Sequence, residues 1–152
     1  MAIIGSMYYP DVSFDECEEL TRIIYSVFQR ETTRQALASH LGHSSNSGRY
    51  SSKLSALRQF GLMEGHGSIK LTDLGIKLAS TISPDQRMRW KSQSMLRVPI
   101  FHQLYDRLTA KGIETGALIE LLQAITGMGR AEVGRAIPSL RKHLDDITVG
   151  KQ

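Results

Sequence analysis

Seven basic side chains, Arg30, Arg34, Arg49, Lys53, Arg58, Lys70 and Lys77, fall within residues 30–80 against Glu31, Glu64 and Asp73, leaving that stretch at +4. Guanidinium and ammonium groups in such excess are the chemistry of phosphate binding, because each brings several N–H donors and a charge to a polyanion. The stretch before it is the reverse: within residues 11–29, Asp11, Asp15, Glu16, Glu18 and Glu19 face Arg22 alone, giving −4. A third group, Arg87, Arg89, Lys91 and Arg97, contains no acid, and Arg87 and Lys91, four apart, can share a helix face and run along phosphates. The net charge is only +4, so its uneven distribution is what points to a polyanionic partner.

Other reactive residues assemble less readily. His40 and His43 have no cysteine near them and a helix end between them, so no metal is expected. Glu114, Glu120 and Glu132 lie along helices without facing partners, and no Ser-His-Asp or Cys-His order stands out; neither an enzyme nor a cofactor is expected. The single cysteine, Cys17, shares a helical stripe with Leu20, Ile24 and Phe28 and reads as a buried thiol. Ile125-Thr126-Gly127-Met128-Gly129 sits between two helices, where an apolar-Gly-apolar-Gly turn can offer amides to phosphate; ordinary capping by the two glycines is the favoured explanation. Trp90 falls off the main apolar line, as a core plug or an interface anchor.

The elements that must carry the basic residues are helical. Ser13 opens a helix with acids in its first turn, and Leu20, Ile23, Ile24, Val27 and Phe28 form its apolar stripe. Thr32 or Thr33 caps a short second helix with Ala36, Leu37 and Leu41, stopped at Gly42. His43, Ser44, Ser45 and Asn46 lead into a third helix, whose Tyr50, Leu54 and Leu57 point inward while Gly48, Arg49, Ser52, Ser55 and Gln59 point away. After Gly61, Leu62-Met63-Glu64 and Ser68 to Leu71 read as two short strands around a Gly65-His66-Gly67 turn. Thr72 caps a fourth helix, in which Gly75 permits close approach. Ser83-Pro84-Asp85 opens a further helix, and Pro99 restarts the chain into another that Gly112 closes. A helix closed by Gly127 follows, then a last one in which Pro138 should cause a kink or a restart.

The run from Ser47 to Leu62, followed by Ile69-Lys70-Leu71-Thr72-Asp73-Leu74-Gly75, resembles the winged helix-turn-helix domains of many prokaryotic and phage proteins, over about residues 30–80. There a leucine-bearing helix, an aromatic-Gly-Leu and a Leu-Thr-x-x-Gly run mark the recognition helix, wing and following helix. The resemblance implies Ser45, Asn46, Ser47, Arg49 and Ser52 at or near base edges and Lys53 and Arg58 on phosphates. It also implies a wing contact from His66, Ser68 and Lys70. Only Arg49 on that face can grip a guanine bidentately, so base selectivity would be modest.

The expected fold is mainly α: an N-terminal extension over 1–13, a winged helix-turn-helix domain (three-helix core plus short β-hairpin) over 14–82, and a helical bundle over 83–152 that could pair two chains. The expected partner is double-stranded DNA, bound as by a transcriptional regulator or related factor, with Arg87 and Lys91 extending the phosphate track. The alternative is a protein-interaction adaptor using the same face. No apolar run approaches the roughly 18 residues of a membrane span and no signal peptide is visible, so a cytoplasmic protein is expected.

Overall fold

The computed structural model describes residues 1–149. The chain opens with a hairpin, β1 (Ala2–Ile4) and β2 (Met7–Tyr9), paired antiparallel with Ile3 opposite Tyr8. Alternation puts Ile4 and Tyr9 inside and leaves Ile3 and Tyr8 in solvent. Residues 1–13 are therefore not a simple extension, and the Gly5-Ser6 pair between two apolar triplets is the sequence signal for the turn.

Helix α1 (Phe14–Ile23) begins as its sequence dictates, with the Ser13 hydroxyl accepting the Glu16 amide at 3.2 Å and two acids in the first turn. It continues into a π-helical turn, Ile24–Phe28. The wider turn changes the angular spacing of side chains, so Val27, expected in the core, is 47% exposed. Strand β3 (Glu31–Thr33) follows, and Thr33 then caps α2 (Arg34–Leu41), which ends on Gly42 in the left-handed conformation. Helix α3 (Gly48–Gln59) is capped by Ser47 and has Tyr50, Leu54 and Leu57 wholly buried, as their spacing requires.

Strands β4 (Met63–Glu64) and β5 (Ser68–Leu71) form the expected hairpin, but β3 adds to it, giving a three-stranded antiparallel sheet in the order β3-β5-β4. Thr72 caps α4 (Asp73–Ser80) through the Gly75 amide and donates from its own hydroxyl to the Gly61 carbonyl at 2.5 Å. Gly75 is required here, because a Cβ built on it would lie 2.1 Å from the Leu62 carbonyl oxygen.

The remainder is helical: α5 (Pro84–Met95), α6 (Pro99–Tyr105), α7 (Thr115–Thr126) and α8 (Arg130–Val149). Two expectations need correction. Helix α6 ends at Tyr105 rather than near Gly112, which sits in a tight turn bridged to Thr109. Pro138 does not restart the last helix, which runs on through it; Pro138 lacks the amide that would bond the carbonyl of Gly134. The fold is mainly α among the described residues, with eight α-helices and two small sheets.

One cluster of buried side chains joins both halves of the chain, running from Ile4 to Ile147. Phe14 meets Phe60 edge-on at 5.3 Å between centroids, and Phe60 and Phe101 both meet His143 of α8. Each wholly buried Phe or Leu removed from water contributes about 1.5–3 kcal/mol. Polar contacts cross the same boundary: Tyr9 Oη lies 2.8 Å from Ser139 Oγ, the Ser94 hydroxyl donates to the Phe60 carbonyl at 2.6 Å, and His143 Nε2 lies 2.7 Å from the Pro10 carbonyl. No buried side-chain nitrogen or oxygen among the described residues lacks a partner.

Candidate functional site

The residues between α2 and α3 build a stiff turn, and Arg34 organises it. Its Nε donates to the Ser45 carbonyl at 2.9 Å and its Nη2 to the Ser51 hydroxyl at 2.6 Å. Its guanidinium lies 5.3 Å from the centroid of the Tyr50 ring, whose hydroxyl donates back to the Arg34 carbonyl at 2.7 Å. The Arg34 amide donates to the Gly67 carbonyl at 3.0 Å, so one residue ties the interhelical turn, α3 and the β4–β5 turn together. Sequence reading counted Arg34 as a base without giving it a role. Its position at the first residue of α2, seventeen residues from Ser51, contains no local pattern that would disclose these bonds.

The residues expected at base edges divide by their local duties. Ser47 is committed as the α3 cap, its hydroxyl accepting the Tyr50 amide at 3.3 Å. Ser45 is half-buried and holds Arg34 through its carbonyl, while Asn46 is exposed, its amide donating to the Ser44 hydroxyl. Ser52 is half-buried, and Gln59 at the far end of the same face donates to Ser55 and shares a cavity with Ser6, Met7, Tyr8 and Arg97. The outer face of α3 is thus fully open only at Gly48 and Arg49. Arg49 itself reaches Glu16 of α1 at 3.3 Å.

The expected phosphate ligands separate into countered and uncountered groups. Lys70 stands 3.9 Å from Glu31 and opposite Glu64 in the sheet register, so two carboxylates flank it. Arg87 is held by Glu18, with Nε at 2.8 and 3.0 Å from its two oxygens, and lies 3.6 Å from Asp15. Lys91 is buried, 3.2 Å from Asp146 and 5.5 Å from the Phe14 ring centroid. Arg87 and Lys91, expected to extend a phosphate track, are both engaged in ion pairs that bind α5 to α1 and α8.

Lys53 and Arg58, by contrast, have no carboxylate within 4.0 Å among the described residues, nor does Arg34. Lys53 is half-buried on the α1 side of α3, where its charge acts on Cys17. Arg58 is half-buried and donates from Nη1 to the Gly65 carbonyl at 3.3 Å. Burial, and after it the like charge of Arg34, push the Arg58 guanidinium below its usual range. His66 and Ser68 are exposed on and beside the turn that Arg34 and Arg58 hold from its two ends.

The remaining candidates resolve structurally. His43 stacks on Tyr50 and His40 meets Phe28 edge-on, and no group of three potential metal ligands occurs among the described residues. Gly127 is the left-handed C-cap of α7, the Met128 amide donates to the Thr126 hydroxyl, and both Thr126 and Met128 lie against Gly5 of the first hairpin. Trp90 is half-buried with the Lys77 ammonium 5.0 Å from its ring centroid. No helix among the described residues is long and apolar enough to cross a membrane.

No family model matches this chain, and neither the curated proteins nor the solved structures contain a match to it.

Proposed function

We propose that this chain is a winged helix-turn-helix protein that binds double-stranded DNA, gripping backbone phosphates more than it reads bases. The element order supports the reading: two helices joined by a braced polar turn, then a hairpin whose turn lies beside them. The observation that carries it is the clustering of Arg34, Lys53 and Arg58 around α3 with no described carboxylate within 4.0 Å, beside Arg49 and Lys70, which do have one. Base reading is weak because the open part of α3 offers only glycine and Arg49, and Arg49 is shared with Glu16.

The test is fluorescence anisotropy with a random-sequence duplex. Two or three phosphate contacts give a salt slope of about −1.8 to −2.7, so affinity should fall about 12- to 40-fold between about 50 and 200 mM salt. Lys53→Ala/Arg58→Ala should leave a slope no steeper than about −0.9 and a fall of at most about 3.5-fold. Absence of binding at about 50 mM salt would overturn the reading and favour a protein partner on the same face.

A further inference from the structure

Arg34 and Arg58 are anchored to opposite ends of one three-residue turn, Arg34 by its amide to the Gly67 carbonyl at 3.0 Å and Arg58 by Nη1 to the Gly65 carbonyl at 3.3 Å. They also lie along one side of α3. The Arg34 guanidinium bonds the Ser51 hydroxyl, and Ser51 lies seven residues before Arg58, two helical turns along one face. Long side chains in a helix lean towards its N-terminus, so Arg58 extends from its own turn back towards the one that holds Arg34.

Two guanidiniums placed this way repel each other unless an anion lies between them. Elsewhere this protein meets the same problem with a carboxylate: Glu18 sits between Arg22 and Arg87, accepting from both. No described carboxylate does so for Arg34 and Arg58, although Glu31 and Glu64 lie on the adjacent sheet, where they flank Lys70. Burial lowers the basicity of Arg58 first, and the like charge of Arg34 adds to it. Donors are also left over: Nη1 of Arg34, and Nε and Nη2 of Arg58, have no protein acceptor among the described residues, and a guanidinium presents such N–H groups as a planar fork that suits a phosphate.

We infer that Arg34 and Arg58 form a single phosphate-binding site at the mouth between the 65–67 turn and the α2–α3 turn, taking one tetrahedral oxyanion between the two forks. The site deepens the DNA reading by making one backbone phosphodiester its occupant, and inorganic phosphate carries the same chemistry. Because Arg34 also braces the turn, occupation of the site would fix α3 and the hairpin in one relative position as the duplex docks.

Two arms of one experiment separate the site from the reading it rests on. In the first, the arginine Nε–H resonances of the full chain are followed by NMR as inorganic phosphate is added, with chloride at matched ionic strength as control. The Arg34 and Arg58 signals should move together on one saturation curve, and Arg58→Gln should abolish the response at Arg34. In the second, duplex anisotropy is measured for Arg58→Gln, Arg34→Gln and the double variant, with Arg89→Gln as an exposed control. Each single variant should lose about tenfold in affinity at low salt and about 0.9 in salt slope, and the double variant should lose no more slope than either single one, since one phosphate is involved. Should Arg34→Gln fail to fold by its thermal melt, Arg58→Gln decides alone, because among the described residues its side chain bonds only the exposed turn.

Slope losses that add to about 1.8 would mean two separate phosphates and overturn the site. Independent titration of the two signals, or no response to phosphate, overturns it as well, even if the duplex still binds. Joint titration by phosphate without duplex binding would keep the site and remove DNA as its source.

Discussion

Replacing Gly75 by alanine tests how tightly α4 sits on the end of α3, and Gly134→Ala in α8 provides the contrast. In an unencumbered helix interior alanine is favoured over glycine by about 1 kcal/mol. At Gly134 nothing lies within 4 Å of the added Cβ, so the variant should keep about 0.5–1 kcal/mol of that gain. At Gly75 the Cβ would stand 2.1 Å from the Leu62 oxygen and 3.1 Å from its carbon, both backbone atoms. Leu62 has little room to give, since its amide bonds the Leu57 carbonyl at 2.9 Å and its oxygen accepts the Thr72 amide at 3.1 Å. Restoring an ordinary contact needs a shift of roughly 1 Å or more. The overpacking costs about 1–3 kcal/mol and the strained Thr72 bond about 1 more, against the gain of about 1 from propensity. The net expectation is a loss of about 2 kcal/mol. Thermal unfolding followed by circular dichroism should show Gly75→Ala melting about 4–8 °C below the parent chain and Gly134→Ala about 1–4 °C above it. Gly75→Ala at or above the parent's melting temperature would refute the packing argument.

Glu16→Gln removes the carboxylate beside Arg49; since the pair is exposed and worth at most about 1 kcal/mol, duplex affinity should rise by up to about fivefold, and an unchanged or lower affinity would deny Arg49 a place in the contact. Burial alone would raise the Glu18 carboxyl, but hydrogen bonds from Arg87 and Arg22 hold it below the ordinary carboxylate range. Its stabilising contribution is then present above the unfolded-state pKa and disappears as pH falls through the folded one, so the stability gap between the parent and Glu18→Gln in urea titrations should be about 1–3 kcal/mol at neutral pH and close in acid. His143 is pushed the other way by burial, below the usual histidine range despite its bond to the Pro10 carbonyl. The unfolded chain therefore takes up the proton first, and stability should drop as pH falls below about 6.5, a dependence that His143→Gln should flatten in the same titrations. Burial pushes the Cys17 thiol up to about 12, and a thiol-disulfide reagent at mildly alkaline pH should label it only after denaturation.

How much of this was readable from the sequence depended on how local each cause is. Ser13, Thr72 and Ser83 cap their helices, and a residue type followed by the right periodicity carries that information within four positions, whereas the cap of α3 is Ser47, which was expected at a base edge. The Ser68–Leu71 strand and its turn were equally local. Strand β3 was not, because three residues, Glu31-Thr32-Thr33, become a strand only when Ile69 arrives opposite Thr32, and the same threonines serve as well for a helix cap. The π-turn after Ile23 broke a stripe that a strict helical period continues to Phe28. At the candidate site, residue types located the basic region but not its free members. What separates Arg58 from Lys91 is a carboxylate, Asp146, fifty-five residues away from Lys91 in sequence. Charge counting cannot see which acids will fold back onto which bases.

The Lys91–Asp146 pair and the Pro10–His143 contact also bear on the order in which the protein can be made. Residues from the first ten and from α8 complete the same core that seats Phe14 and Phe60. A ribosome releases α8 only after every basic residue of α2 and α3 has emerged, so a nascent chain displays those charges before the packing that holds them in place exists. Chain arrested before α8 should therefore be open to protease throughout, and protection should arrive for both halves at once when α8 joins them.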